Sequence, residues 1–224
     1  MNVAHFLNER LGFIRQLYVT STAPFVERQR LIENEEEPFV PPYSEDGEPP
    51  FLTEWQEAQD SIDVLGHACL CLLTSGLQAY LQTRHILHGP ELTDVERKNV
   101  FRHGWVRGYN RIFTEAFSIP FADGPVSIDA LEDIVLARNS IQHQLSITSV
   151  RAAHADRKPG QARSFFLSDR EVELLDRLDP EAMKWVMPPA VHVDQAKLEV
   201  TLDTVARFVT WLDGAISAKF SRAV

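Results

Sequence analysis

A chain of 224 residues with 44% hydrophobic and 24% charged residues can bury a sizeable core and is neither a disordered segment nor a fibrous repeat. Its net charge of −10 argues against a general nucleic-acid coat protein. The longest strongly apolar stretch, Val64 to Leu73, contains His67 and is shorter than the roughly 20 residues of a membrane span.

The opening residues, with Asn2, Asn8, Glu9 and Arg10 among apolar ones, lack the basic-then-apolar order of a secretory signal. Cys69 and Cys71 stand two apart on one helix and point in different directions, so no mutual disulfide is expected. Together these features predict a cytoplasmic protein with no membrane association.

Val3, Phe6, Leu7, Ile14, Leu17 and Tyr18 recur at steps of three and four, which predicts an amphipathic helix over roughly residues 2 to 19. The segment 33–50 holds Pro38, Pro41, Pro42, Pro49 and Pro50 among six Glu and one Asp, and reads as an irregular acidic loop. Thr53 is a candidate N-cap for a long second helix to about Leu87, with Trp55, Ala58, Ile62, Leu65, Cys69, Leu72, Gly76 and Ala79 as its inward stripe. After His88-Gly89-Pro90, Thr93 or Asp94 caps a third helix whose Phe101, Trp105, Tyr109, Ile112 and Ala116 face the core.

Ser127 caps a fourth helix to about Ile147, with Leu131, Ile134, Ile141 and Leu145 as its stripe. Ser168 caps a short helix to about Leu178, and a last helix covers about Leu202 to Phe220 through Val205, Val209, Leu212 and Ile216. Val191 to Val193 and Lys197 to Thr201 are read as short strands. The expected architecture is all-α: an up-and-down helical bundle forming a single domain over 1–224, with residues 148–200 inserted before the last helix.

The charge is uneven. Glu27 to Asp60 holds eleven acids against two Arg, whereas Arg97 to Arg111 holds five cations and no acid. Ile134 to Phe165 holds five cations against Asp156 alone. Such basic stretches can attract a polyanion despite an acidic total, or can be plain solvated faces. His103, Arg107 and Arg111 line up at steps of four as a candidate RNA-phosphate stripe. The acidic loop 33–50 is either solvated or folds over the basic region as a mimic of RNA.

The chemistry concentrates on the fourth helix, where Arg138 falls at an apolar position of the heptad. A guanidinium keeps its charge in a protein, so once buried it needs an acid, a ring of acceptors or an anionic ligand. Asn139 and His143 share the neighbouring face four residues apart, with His143 about 140° round the helix from Arg138. A fixed cation, an amide and an imidazole suffice for metal-independent transfer at an RNA phosphate, with the 2′-hydroxyl as nucleophile.

The string Leu136-Ala137-Arg138-Asn139-Ser140-Ile141-Gln142-His143 resembles the Arg-x4-His motif of the HEPN superfamily, including the polar residue that commonly follows its Arg. The resemblance implies a helical bundle that dimerises so that two motifs face one another. Many such members are ribonucleases of toxin-antitoxin, phage-defence or RNA-processing systems. It implies Arg138 and His143 as the catalytic pair, Asn139 as a positioning residue, an RNA substrate, a homodimer and a regulatory or antitoxin partner. One branch carries a modified Tyr two residues after the His, where this chain has Leu145.

The rival reading is a catalytically silent helical module that binds RNA, a nucleotide or a protein partner in the same cleft. A blander one pairs a buried Arg138 with an acid from another helix and hydrogen-bonds His143 in the core. His67 and Cys71 have the spacing of two metal ligands but no companion pair, so neither a metal nor a cofactor is expected. No phosphate loop, serine elbow or dinucleotide fingerprint is present.

Overall fold

Two long helices packed along one another make the frame. The computed structural model describes residues 2–41, 49–143, 152, 163–177 and 190–221. Within them lie seven α-helices and no β-strand: α1 (Val3–Glu33), α2 (Leu52–His88), α3 (Asp94–Val100), α4 (Trp105–Phe117), α5 (Ile128–Gln142), α6 (Asp169–Arg177) and α7 (Gln195–Ser221). The arrangement is an up-and-down bundle in which α2 touches α1, α4, α5 and α7.

That central position explains how α2 departs from its expected stripe. Ala58, Ile62, Cys69 and Gly76 are buried as the heptad predicts, but so are Leu70, Leu73, Leu77 and Leu81, while Leu72 is 47% exposed. A helix with neighbours on several sides buries a wider arc than a two-helix seam does. By length and composition α2 is apolar enough to cross a membrane, which the Val64–Leu73 reading understated; 56% of its apolar window is buried within the bundle. Asp63, His67, Thr74 and Arg84 are buried in the same helix, and each has a partner within the fold, although Arg84 Nε is left without one.

The boundaries show where local chemistry was sufficient. Asn2 accepts from the His5 N–H at 3.0 Å to start α1. Thr93 and Glu96 form a reciprocal capping box on α3, Ser127 accepts from Ala130 N–H at 3.1 Å on α5, and Ser168 exchanges the same kind of bonds with Glu171 at α6. Such caps satisfy amide groups the helix itself leaves open. At α2 the N-cap is Phe51, in the left-handed region at φ 58° with no side-chain bond, rather than Thr53; Phe39 packs edge-on against the Phe51 ring at 5.3 Å.

Other expectations require correction. The first helix does not stop near residue 19 but runs through Pro24 to Glu33. Its second half is held by polar contacts to the start of α2, Gln29 to Gln59 at 3.1 Å and Trp55 to Glu33 at 2.9 Å, which apolar periodicity does not register. The single third helix is two, α3 and α4, because the chain turns at Phe101–Gly104 with Gly104 at φ 96°; Ala116, expected in the core, is exposed. Lys197–Thr201 is helix, not strand, since the Asp194 carboxylate accepts from Lys197 N–H at 2.7 Å and starts α7 seven residues early, inside the expected insertion. Val191–Val193 is not a strand: Val191 N–H reaches Ala152 C=O and His192 N–H reaches Phe166 C=O, both at 2.8 Å. The expected continuation of the fourth helix through Leu145 to Ile147, and residues 42–48 of the acidic loop, lie outside the described residues.

The segment before α7 is fastened by two titrating groups, to α2 through His67 and to α6 through Glu171. His67, 5% exposed, donates from Nε2 to Val191 C=O at 2.8 Å, and burial pushes its imidazole below its ordinary value despite that bond. Burial would raise the Glu171 carboxyl, but His192, the Ala190 N–H and Ser168 outweigh it and hold the group at about 2. A folded state that binds the His67 proton less readily than the unfolded chain is fully stable above the ordinary value of 6.5 and loses stability as pH falls below it. The Glu171 contribution is lost only as pH falls from the ordinary 4.5 towards about 2. Chemical denaturation of His67→Gln should therefore show a shallower loss of stability between pH 6.5 and 4.5 than the parent, with the steeper acid limb unchanged; superimposable profiles would contradict this.

Candidate functional site

Arg138 sits on α5 where the helix leaves the core. Leu131, Ile134 and Ala137 are buried inside the bundle, and Arg138 is half-buried at their edge, so it borders the apolar stripe instead of interrupting it. Its Nη1 donates to Asn139 Oδ1 at 3.0 Å and to Gln142 Oε1 at 2.8 Å, and its Nη2 donates to Gln78 Oε1 of α2 at 3.3 Å. Its Nε is buried with no hydrogen-bond partner. Among the described residues no carboxylate pairs with it.

Other arginines of the chain are held differently. Arg15 pairs with Glu199 and Asp203, Arg30 with Glu27 and Glu36, and Arg84 with Asp213. Arg107 reaches Glu132 of α5 at 2.6 Å and Asp129 at 3.4 Å, and Arg111 pairs with Glu115 at 2.7 Å. Arg138 alone among these six is surrounded by neutral amide oxygens. Its charge is nevertheless felt nearby, for burial raises the Cys71 thiol and Arg138 opposes the rise. An arginine fixed by neutral acceptors keeps its charge uncompensated and available to an anion, which a carboxylate-paired one does not.

His143 is the C-cap of α5, with its N–H on Asn139 C=O at 2.9 Å. Its side chain is exposed and makes no hydrogen bond with the described residues. The reading of Arg138 salt-bridged to another helix with His143 bonded in the core is thereby overturned. Asn139 spends its carbonyl on Arg138 and is the link between the guanidinium and the turn that bears His143.

The basic stripe is less concerted than its spacing. His103 is exposed in the turn between α3 and α4, while Arg107 and Arg111 are each engaged by acids of α5 and α4. Gln78 and Gln142 were not singled out from the sequence. Gln78 lies one heptad after Cys71, but nothing in α2 alone tells which of its faces meets α5. Cys69 is in the core, its thiol pushed up to about 11 by burial. His67 is committed to Val191, and no group of three or more His, Cys, Asp and Glu placed to hold a metal occurs among the described residues.

Comparisons with family models, curated proteins and solved structures return no match to this chain. Its functional reading therefore rests on the arrangement of its own residues.

The two buried or half-buried arginines provide a stability test. Arg84→Ala strands Asp213, which also accepts from the Tyr80 hydroxyl at 2.9 Å, and should cost roughly 3–5 kcal/mol. Arg138→Ala leaves behind only amides that water can satisfy and should cost about 1 kcal/mol or less. Urea midpoints measure both, and equal losses would mean that Arg138 is a structural cation.

Proposed function

We propose that the chain is a metal-independent endoribonuclease of HEPN type, acting as a homodimer in the cytoplasm. The observation that carries this reading is the half-buried Arg138, fixed by Asn139, Gln142 and Gln78 with no carboxylate among the described residues, five residues before the exposed imidazole of His143, which hydrogen-bonds to none of them. A guanidinium so placed binds a phosphate and stabilises the charge that grows on it as a fifth oxygen approaches. His143 takes the proton of the 2′-hydroxyl, O2′ bonds to phosphorus, and the P–O5′ bond breaks. The departing O5′ receives a proton from the second imidazole, giving a 2′,3′-cyclic phosphate and a 5′-hydroxyl.

One imidazole cannot serve as base and acid in the same step, and the motif occurs once in the chain. A second copy supplies the other. Support for self-association comes from an unusually apolar exposed face on α1 and α2, where Phe6 is 63% and Phe13 68% exposed beside Leu17 and Leu72. These residues border a groove of about 1140 Å3, and apolar patches of this kind mark protein interfaces on soluble chains. The free state of Cys69 and Cys71 suits a reducing compartment. Within this reading the protein is a toxin or phage-defence effector, and an antitoxin or regulatory partner restrains it. Arg107 and Arg111 contribute less, because an RNA phosphate would have to compete with their carboxylates.

The same cluster without a working His143 would be an RNA-binding module, and the neutral cradle around Arg138 is the feature that favours this second reading. Initial rates on single-stranded RNA and tRNA separate the two. His143→Ala should lower the rate by about 10²–10⁴-fold and Arg138→Ala by about 10²–10³-fold, with circular dichroism spectra unchanged. RNA that the parent protein binds but leaves intact would replace the nuclease with the binding module.

A further inference from the structure

Where α2 meets α3 and α4 lies a cavity of about 420 Å3 lined in part by Gln82, His85, Glu91, Arg97, Phe101 and Tyr109. Its volume is in the usual range of small-molecule sites, about 300–1,000 Å3. Two of its walls depend on missing side chains. A Cβ at Gly89 would lie 2.2 Å from Cδ2 of His85, and one at Gly108 would lie 2.3 Å from Cδ1 of Phe101. Glycine at both positions lets the two rings lie flat against the backbone. His85 then donates from Nε2 to Pro90 C=O at 2.9 Å, which fixes its tautomer and leaves Nδ1 as an acceptor.

Tyr109 meets Phe101 and His85 edge-on, with ring centroids 5.1 and 6.1 Å away. It is 6% exposed, yet its hydroxyl has no hydrogen-bond partner among the described residues. That oxygen is not sealed from solvent, so water or a ligand can reach it. Arg97 is near enough for its charge to oppose the rise that burial imposes on that phenol, and it makes no ion pair with the described residues. The cavity therefore offers aromatic walls, an unpartnered hydroxyl, an amide, an imidazole acceptor and the unpaired cation of Arg97, with the Glu91 carboxylate also in its lining.

This set matches a flat ring with donors and acceptors along its edge and an anion attached. Gln82 follows Gln78, the α2 residue that holds Arg138, by one turn, roughly 6 Å along the axis. We propose that the cavity is a nucleobase subsite, which receives the base of the nucleotide next to the phosphate engaged by Arg138. The ring packs against Phe101 and Tyr109, its edge meets Gln82, the Tyr109 hydroxyl and His85 Nδ1, and Arg97 takes an adjoining phosphate. The assignment of RNA as the source of that nucleotide rests on the ribonuclease reading; the affinity of the cavity does not.

Calorimetric titration of the full chain tests the subsite, using each of the four ribonucleoside 5′-monophosphates, inorganic phosphate and a short single-stranded oligoribonucleotide. The subsite predicts that at least one monophosphate binds about tenfold more tightly than the others and than inorganic phosphate, and that the oligonucleotide displaces it. Gln82→Ala and Arg97→Ala, both at exposed positions, should each weaken that binding about tenfold, equivalent to ~1.4 kcal/mol. Absence of binding, binding indifferent to both variants, or binding no tighter than that of inorganic phosphate would overturn the subsite. A nucleotide that the oligonucleotide fails to displace would show a free-nucleotide site and also overturn it. Binding with the expected pattern by a protein that cuts no RNA would leave the subsite standing and remove only the nuclease reading.

Discussion

Everything in this fold is arranged around the burial of α2. A 37-residue helix that is apolar over several faces needs cover on several sides, and α1, α4, α5 and α7 supply it except around Leu72, which stays exposed. The buried leucines Leu70, Leu73, Leu77 and Leu81 contribute much of the apolar area, at about 25 cal/mol per Å2 removed from water. The polar residues along the same helix then become the fixed points of the structure. His67 fastens the segment before α7, Arg84 with Tyr80 fastens α7 itself through Asp213, and Gln78 reaches Arg138 on α5.

This division explains why the candidate site is rigid on one side and open on the other. Arg138 is anchored to α2 through Gln78 and to its own helix through Asn139 and Gln142, so its guanidinium is oriented before any ligand arrives. Preorganised donors of this kind are effective because no reorientation is needed when charge develops. His143, at the last turn of α5, faces solvent and is available to a substrate or a second chain. The fold leaves the half-buried guanidinium of Arg138 uncompensated, whereas Arg15, Arg30, Arg84, Arg107 and Arg111 all have carboxylates.

The helical class, the caps at Thr93, Ser127 and Ser168, and the core positions of the last helix were legible in the sequence because they depend on local chemistry. The extension of α1 past Pro24 was not, since Gln29, Trp55 and Glu33 hold it through contacts with a helix that begins some twenty residues later. Nor was the early start of α7, where the carboxylate of Asp194 outweighed the β-branched character of Val200 and Thr201. Arg138 and His143 stood out by residue type and spacing, but whether Arg138 had an acid partner was a tertiary fact. Gln78 and the cavity around Tyr109 depended on which faces of α2, α3 and α4 come together, and a glycine such as Gly108 gains meaning only beside the ring of Phe101.

The central claim is that the neutral cradle of Arg138 serves phosphoryl transfer to a ribose hydroxyl, and the chemistry of the product ends tests it most directly. Labelled single-stranded RNA and tRNA are incubated with the purified protein in excess EDTA and the termini of the fragments identified. The account predicts fragments ending in 2′,3′-cyclic phosphate with free 5′-hydroxyls on the downstream pieces. Fragments bearing 5′-phosphates, or cleavage abolished by the chelator, would contradict it.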